Sequence, residues 1–246
     1  NNWVIHGSRS EEGHYLISGL PFHNAARSNQ STARNDVSMV EEFALETSAI
    51  SAEYAEGGVT MNLVGKEGGN QFRGAFFASY SGDSMQGNNL DDELIARGAP
   101  AVNKLKKMYD YSLSAGGPIK QDRLWYFVSI RNWVLQNLVA GVFDDANRSD
   151  FFYTPDLGKQ FVLVEDLTNF GGRVTWQASP KNKIQGYFQK QRRVGFTGST
   201  PALMPEAQAL REGIGPGLMY GQALWSAPIT ARLLLDTIRL EVLGEE

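Results

Sequence analysis

From Gln71 onward the chain repeats a single pattern. Apolar and polar side chains alternate with period 2, segment after segment, and the connections between segments alternate between long and short. In a strand successive side chains point to opposite faces, so each such segment carries one oily face and one wet one. GNQFRGAFFASYS puts Phe72, Gly74, Phe76, Ala78 and Tyr80 on one side, with Phe77 out of step. MYDYSLSAG sets Tyr109, Tyr111, Leu113 and Ala115 against Asp110, Ser112 and Ser114. LWYFVSIRNW sets Tyr126, Val128 and Ile130 against Trp125, Phe127, Ser129 and Arg131. Phe170, Val174 and Trp176 oppose Asn169, Arg173, Thr175 and Gln177, and Ile184, Gly186 and Phe188 oppose Gln185, Tyr187 and Gln189. Two weaker segments, LMYGQALWSA and ARLLLDTIRLEV, bring the number to seven.

The long connections span 82–107, 135–166 and 194–217, and the short ones are turns through Gly117-Pro118, Ser179 to Asn182, and Pro228. An up-and-down barrel in an outer membrane has this rhythm, with short turns at one mouth and long loops at the other. The face with Tyr126, Val128 and Ile130 is then expected to meet lipid, and the face with Asp110, Ser129 and Arg131 to line a wet lumen. Tyr109, Tyr111, Trp125 and Trp133 fall toward strand ends, where amphipathic rings suit the bilayer interface. A soluble β-sandwich also alternates, burying one face on a second sheet. It rarely places every long loop at one end.

The first seventy residues differ. HYLISGL is short and strand-like, HNAARSNQSTARND is polar, and VEEFALETSAISAEYAEGGVTMNLVGKEGGNQF combines an acidic pair, an extended run and paired glycines. Gly57-Gly58 and Gly68-Gly69 are places where backbone can turn through positive φ. We read residues 1–69 as a small α+β unit and 70–246 as about seven strands of an antiparallel barrel, so that the whole is mainly all-β. Asn1 and Glu246 both fall inside strand-like patterns, so the chain reads as a piece of a longer protein.

Few chemistries find support. The 246 residues carry a formal charge of −4 and no clustered basic stretch, which gives nucleic acid no purchase. With no cysteine, thiol catalysis, disulfides and thiolate-bound metal are excluded. His6, His14 and His23 lie near Glu11 and Glu12 but match no ligand spacing. Ser8 and Ser10 lack a base, and REGIGPG lacks the Lys-Ser/Thr of a phosphate cradle. Glu41-Glu42 and Asp91-Asp92-Glu93 read as solvated faces. DDELIARGAPAVNKLKKM is expected to form a short helix broken near Gly98, and PEAQALRE another. No catalytic residue, metal or cofactor is expected.

Several motifs, in order, resemble TonB-dependent outer-membrane receptors. Val40, Glu41, Glu42 and Phe43, then Ala52, Glu53 and Tyr54, then Gly57, Gly58, Val59 and Asn62, then Lys66, Gly68, Gly69, Asn70 and Phe72 follow the end of that family's plug domain. SAGGPIKQDRLWYF is similar to a hairpin of its Oar-like branch, which carries a carboxypeptidase-regulatory-like domain upstream. Ser18 departs from the family, which has Asp there, and Gly65 stands in place of Thr. The resemblance implies a receptor in the outer membrane of a Gram-negative bacterium. It would bind an external solute and admit it past the plug when a TonB-type energy-coupling protein acts on an upstream segment. Solute contacts would come from a plug loop, Phe22, His23, Asn24, Arg27 and Asn29, and from lumen arginines, Arg131 and Arg173, with Arg73 and Gln177 as further lumen positions. The same arginines could instead pair with plug carboxylates such as Glu53. An adhesion or secretion-linked barrel, and a soluble β-rich binding domain, are the alternative functions.

Overall fold

A computed structural model describes residues 13–21, 36–47, 59–87, 90–97, 103–147, 149–150, 152–196, 212–230 and 233–244. These form two sheets. The smaller contains β1 (His14–Ile17), β2 (Leu20–Pro21), β3 (Val40–Glu46) and β4 (Thr60–Gly65) in the order β2-β1-β4-β3. β1 runs parallel to β4, with Leu16 opposite Asn62, and the other pairs are antiparallel. In β4 Thr60, Leu63 and Gly65 are buried. A 3-10 turn, Val37–Met39, precedes β3, and it is the helical element among this unit's described residues.

The larger sheet is a seven-stranded antiparallel meander: β5 (Arg73–Gly82), β6 (Lys104–Lys120), β7 (Leu124–Asp145), β8 (Pro155–Ser179), β9 (Asn182–Phe196), β10 (Glu212–Thr230) and β11 (Leu233–Gly244). Each strand pairs with the next in sequence, which makes a partial barrel. The register confirms the two faces. Val128, Ile130, Phe170, Val174 and Phe188 are exposed on the outside, while Phe127, Ser129, Asn169, Arg173, Tyr187 and Gln189 are buried on the inside. Phe77 pairs with Ser112 on the inner side of the edge strand and is exposed there.

Two expectations are corrected. A long loop was expected over 135–166, yet β7 has 22 residues and β8 has 25, and both run into it. Spanning lipid takes about 9–11 residues, so the hairpin continues well past it. Part of the expected loop 135–166 is therefore paired strand, with Gln136 opposite Val164 and Asp144 opposite Asp156. The 91–108 helix is also shorter than expected. Among its described residues only Asp92–Ala96 (α1) is helical, capped by Asp91 Oδ1 accepting from Leu94 N at 2.8 Å. KLKKM already belongs to β6, because alternation outweighs the helix propensity of its lysines. The PEAQALRE helix lies outside the described residues apart from Glu212, which opens β10.

The lipid assignment makes a direct prediction. Val128 lies midway between Leu124, beside the short turn, and the polar Asn132 on the same outer face. In the full-length protein Val128→Arg should lower folding stability in a bilayer by about 2–4 kcal/mol, whereas Thr168→Arg, at the border, should cost about 0–1 kcal/mol. Urea titration of folding into lipid vesicles measures both. Equal effects would place this face away from the membrane.

Candidate functional site

The small sheet sits against the inner face of the large one, and the contact is built around polar groups. Two clusters dominate it.

The first surrounds Arg173. This guanidinium is 6% exposed and projects inward from β8. It reaches three parts of the small unit at once. Nη2 donates to Ser18 Oγ at 2.9 Å in the β1–β2 turn, and Nη1 donates to the Gly65 carbonyl and to Glu67 Oε1, both at 3.2 Å. Its flat face lies over the Tyr187 ring, 5.5 Å from the centroid. Glu67 is shared further: Lys183 Nζ lies 3.2 Å from Oε2, and Gln185 donates to Oε1. A buried arginine is costly unless its donors find acceptors, and here the facing unit supplies them for Nη1 and Nη2, while Nε is left without one.

Both departures from the family pattern acquire roles here. Ser18 adopts φ +50 and still supplies a polar contact to Arg173, through its hydroxyl. Gly65 has a steric role. A Cβ there would come within 2.9 Å of Arg173 Nη2, so the missing side chain makes room for the guanidinium.

The second cluster lies on β7. Arg131 Nε and Nη2 grip Asp110 at 2.9 and 2.7 Å, a two-pronged pair along the barrel wall. Asp36, whose side chain is fully buried, lies 3.9 Å from Arg131 Nη1. Asp36 also caps the 3-10 turn, accepting from Ser38 N at 3.0 Å and from Ser38 Oγ at 2.6 Å. Ser38 Oγ in turn sits 2.5 Å from Ser129 Oγ on β7, which bonds the small unit to the wall. Beside this, Met39 packs with Phe127, Tyr187 and Tyr220, the apolar centre of the contact.

A third attachment secures the linker. Asn70 donates to Asp122 Oδ1 at 2.6 Å and accepts from Asp122 N and from Trp125 Nε1, at 2.9 and 2.7 Å, clamping the β6–β7 turn. Gly68 passes so near the Tyr126 carbonyl that a Cβ would sit 2.2 Å from its oxygen. The reason for glycine here is close approach, not the positive φ expected from the sequence. A recess of about 740 Å³ separates the linker from the edge strand β5, lined by Glu41, Lys66, Glu67, Asn70, Arg73 and Phe127.

Of the residues singled out in the sequence, the structure brings together Arg131 and Arg173, each in an ion pair with a carboxylate. The expected pairing with carboxylates of the small unit is made by Asp36 and by Glu67 of the linker, while Glu53 lies outside the described residues. Phe22, His23, Asn24, Arg27 and Asn29 also lie outside them. Arg73 is exposed and donates to Gln71 at 3.3 Å, and Gln177 donates to the Ser179 and Asn182 carbonyls, closing the β8–β9 turn. Sequence reasoning missed Asp36, Ser38, Asn70 and the central part played by Glu67. Among the described residues no group of three His, Asp or Glu could hold a metal.

The linker contact predicts that Gly68→Ala, forced against main chain that cannot rotate away, loosens this attachment. In the full-length protein trypsin should then cleave after Lys66 several-fold faster, while the barrel's heat-dependent electrophoretic shift persists. An unchanged cleavage rate would mean that the contact does not hold the linker.

No family model matches the sequence. Over 125 residues, half of this chain, it is 28% identical to the TonB-dependent transporter Oar of Myxococcus xanthus, and the match covers 12% of that relative's length. In fold, 96% of the chain superposes on the outer-membrane transporter YddB of Escherichia coli, with a TM-score of 0.64 and 14% identity. It superposes also on a ferric enterobactin receptor, PfeA, of Pseudomonas aeruginosa, with a TM-score of 0.56 and 15% identity. The chain spans about a third of each of those structures, 31% and 34%. With its sequence likeness to Oar and its partial-barrel fold, the chain resembles a piece of a TonB-dependent outer-membrane receptor.

Proposed function

We propose that residues 1–69 belong to a plug and 70–246 to the first strands of a transmembrane barrel, in a receptor that binds an external solute and admits it past the plug. The observation that carries this reading is the construction of the interface. A small sheet is fastened to the inside of a barrel wall by separable polar contacts around Arg173, Arg131 and Ser129, not by a large apolar core. Polar contacts can be exchanged for water one at a time, whereas a continuous apolar core must be exposed all at once. That suits a stopper that has to move and return.

On this reading Arg131 and Arg173 hold the plug, and solute contacts fall to the outward loop containing Phe22, His23, Asn24, Arg27 and Asn29. A TonB-type protein would act through a segment upstream of Asn1, and the site of action is the outer membrane of a diderm bacterium. No covalent chemistry is involved.

A reversible lock tests the proposal. The chain contains no cysteine, and Ser38 and Ser129 already face each other with their oxygens 2.5 Å apart. In the full-length protein, Ser38→Cys with Ser129→Cys should form a disulfide tying plug to barrel. Uptake of radiolabelled solutes would be screened in a deletion strain complemented with the locked or native receptor, using ferric siderophores, oligosaccharides and peptides. We expect a solute whose uptake depends on the native receptor, falls at least ten-fold in the locked form and returns on reduction. A receptor whose uptake ignores the lock, or whose loss affects adhesion and no uptake, would favour the adhesion barrel.

A further inference from the structure

Arg131 turns its best donors away from the small unit. Ser112 stands directly across from it on β6, and Asp110 takes the diagonal position on the same inner face. That diagonal is within reach of a long side chain, and Nε and Nη2 both donate to the Asp110 carboxylate, at 2.9 and 2.7 Å. Nη1 is left to face the small unit. It stops 3.9 Å from Asp36 Oδ1. A charge-assisted hydrogen bond would be about 1 Å shorter.

Asp36 has room for that bond. Its side chain is fully buried, and Oδ1 accepts from Ser38 N and Ser38 Oγ. Its other oxygen, Oδ2, is buried with no hydrogen-bond partner among the described residues. A buried carboxylate oxygen without a donor is costly, so a nearer guanidinium would be favoured. Rotation of the Arg131 side chain would bring one, but the two-pronged grip of Asp110 fixes its orientation. Two acids therefore compete for one cation, one on the wall and one on the small unit. Arg173, by contrast, gives both of its Nη donors to the small unit and its linker.

We propose that Asp110 is a positioning residue that acts through Arg131 to keep the small unit's hold on the wall weak. By holding the guanidinium back from Asp36, it leaves the interface short of the strongest ion pair open to it. Less free energy is then needed to release the small unit. The same grip keeps Arg131 in place after release, so Asp36 returns to a cation that has not moved. This role depends on the plug reading and deepens it, because it names the wall residue that sets how firmly the stopper is seated.

The experiment uses the full-length protein in planar lipid bilayers, with urea added on the short-turn side and conductance reporting the ratio of open to closed barrels. Native protein is compared with Asp110→Asn, with Asp110→Ser as a second neutral replacement, and with Asp110→Glu, which keeps the charge. Each is also made in an Asp36→Asn background. With the wall charge gone, Arg131 is expected to close on Asp36. A hydrogen bond between charged groups is worth about ten-fold or more in an equilibrium constant, so the open-to-closed ratio at a given urea concentration should fall about ten-fold. Asp110→Glu should stay near native, and in the Asp36→Asn background the neutral replacements should have no such effect, the coupling expected of a shared partner. A merely structural role predicts the opposite sign: loss of Asp110 would loosen the seat, equally with or without Asp36. That outcome, or an unchanged ratio, overturns the proposal. The heat-dependent electrophoretic shift shows that each barrel has folded, and the Ser38→Cys/Ser129→Cys lock separates the two layers of argument. If urea opens the native protein and the lock prevents it, a failed Asp110 result sinks the positioning role alone. If urea never opens the native protein, or the lock makes no difference, the plug reading falls too.

Discussion

Everything in this molecule depends on a backbone that must satisfy its own hydrogen bonds where water is absent. Lipid offers no partner to a bare amide, so a strand in the bilayer has to be paired along its length. The continuous meander from β5 to β11 answers that demand, and its pleat then separates two media. Between Leu124 and Asn132 of β7, and between Thr168 and Trp176 of β8, odd positions face inward and even ones outward, so a single register fixes where Ser129, Asn169 and Arg173 lie relative to Val128, Phe170 and Val174. A slip of one residue would drive Arg173 into hydrocarbon and Val174 into the lumen.

The same requirement shapes the interior. An inward guanidinium at 6% exposure needs partners, and Arg173 finds them on three separate pieces of the small unit: a turn, a strand end and the linker. Arg131 behaves differently. Its stronger pair is with Asp110 on the wall itself, and Asp36 is held more loosely at 3.9 Å. One arginine is thus satisfied mainly by the small unit and the other mainly by the barrel. If the small unit moved, Arg131 would retain its chief partner while Arg173 would turn to water.

Local chemistry in the sequence revealed the strands but not the contacts. Alternation around Val128 and Ile130, and around Val174 and Trp176, is a property of neighbours two residues apart, so it identified both faces of the wall without any knowledge of tertiary structure. The length of the β7–β8 hairpin was hidden because residues 135–145 lose strict alternation once they leave the lipid, where no apolar face is required. Asp36 and Ser38 were invisible for another reason: they lie in a polar stretch whose composition says loop, and only the fold brings them to Ser129, 91 residues away from Ser38. The part played by Gly65 was hidden in the same way, because its partner, Arg173, is 108 residues distant.

The passage of Gly68 beneath the Tyr126 carbonyl has a consequence for how such a protein can diverge. The contact is main chain against main chain, so it reads no side chain on the wall and places no demand on the identity of Tyr126. Substitutions along β7 beyond Trp125, whose indole holds Asn70, can alter either face of the wall while the Gly68 contact stays unchanged, provided position 68 keeps its hydrogen. One atom's worth of empty space thus frees most of a strand to drift, and a lineage can change either face of the wall without rebuilding the joint between linker and barrel.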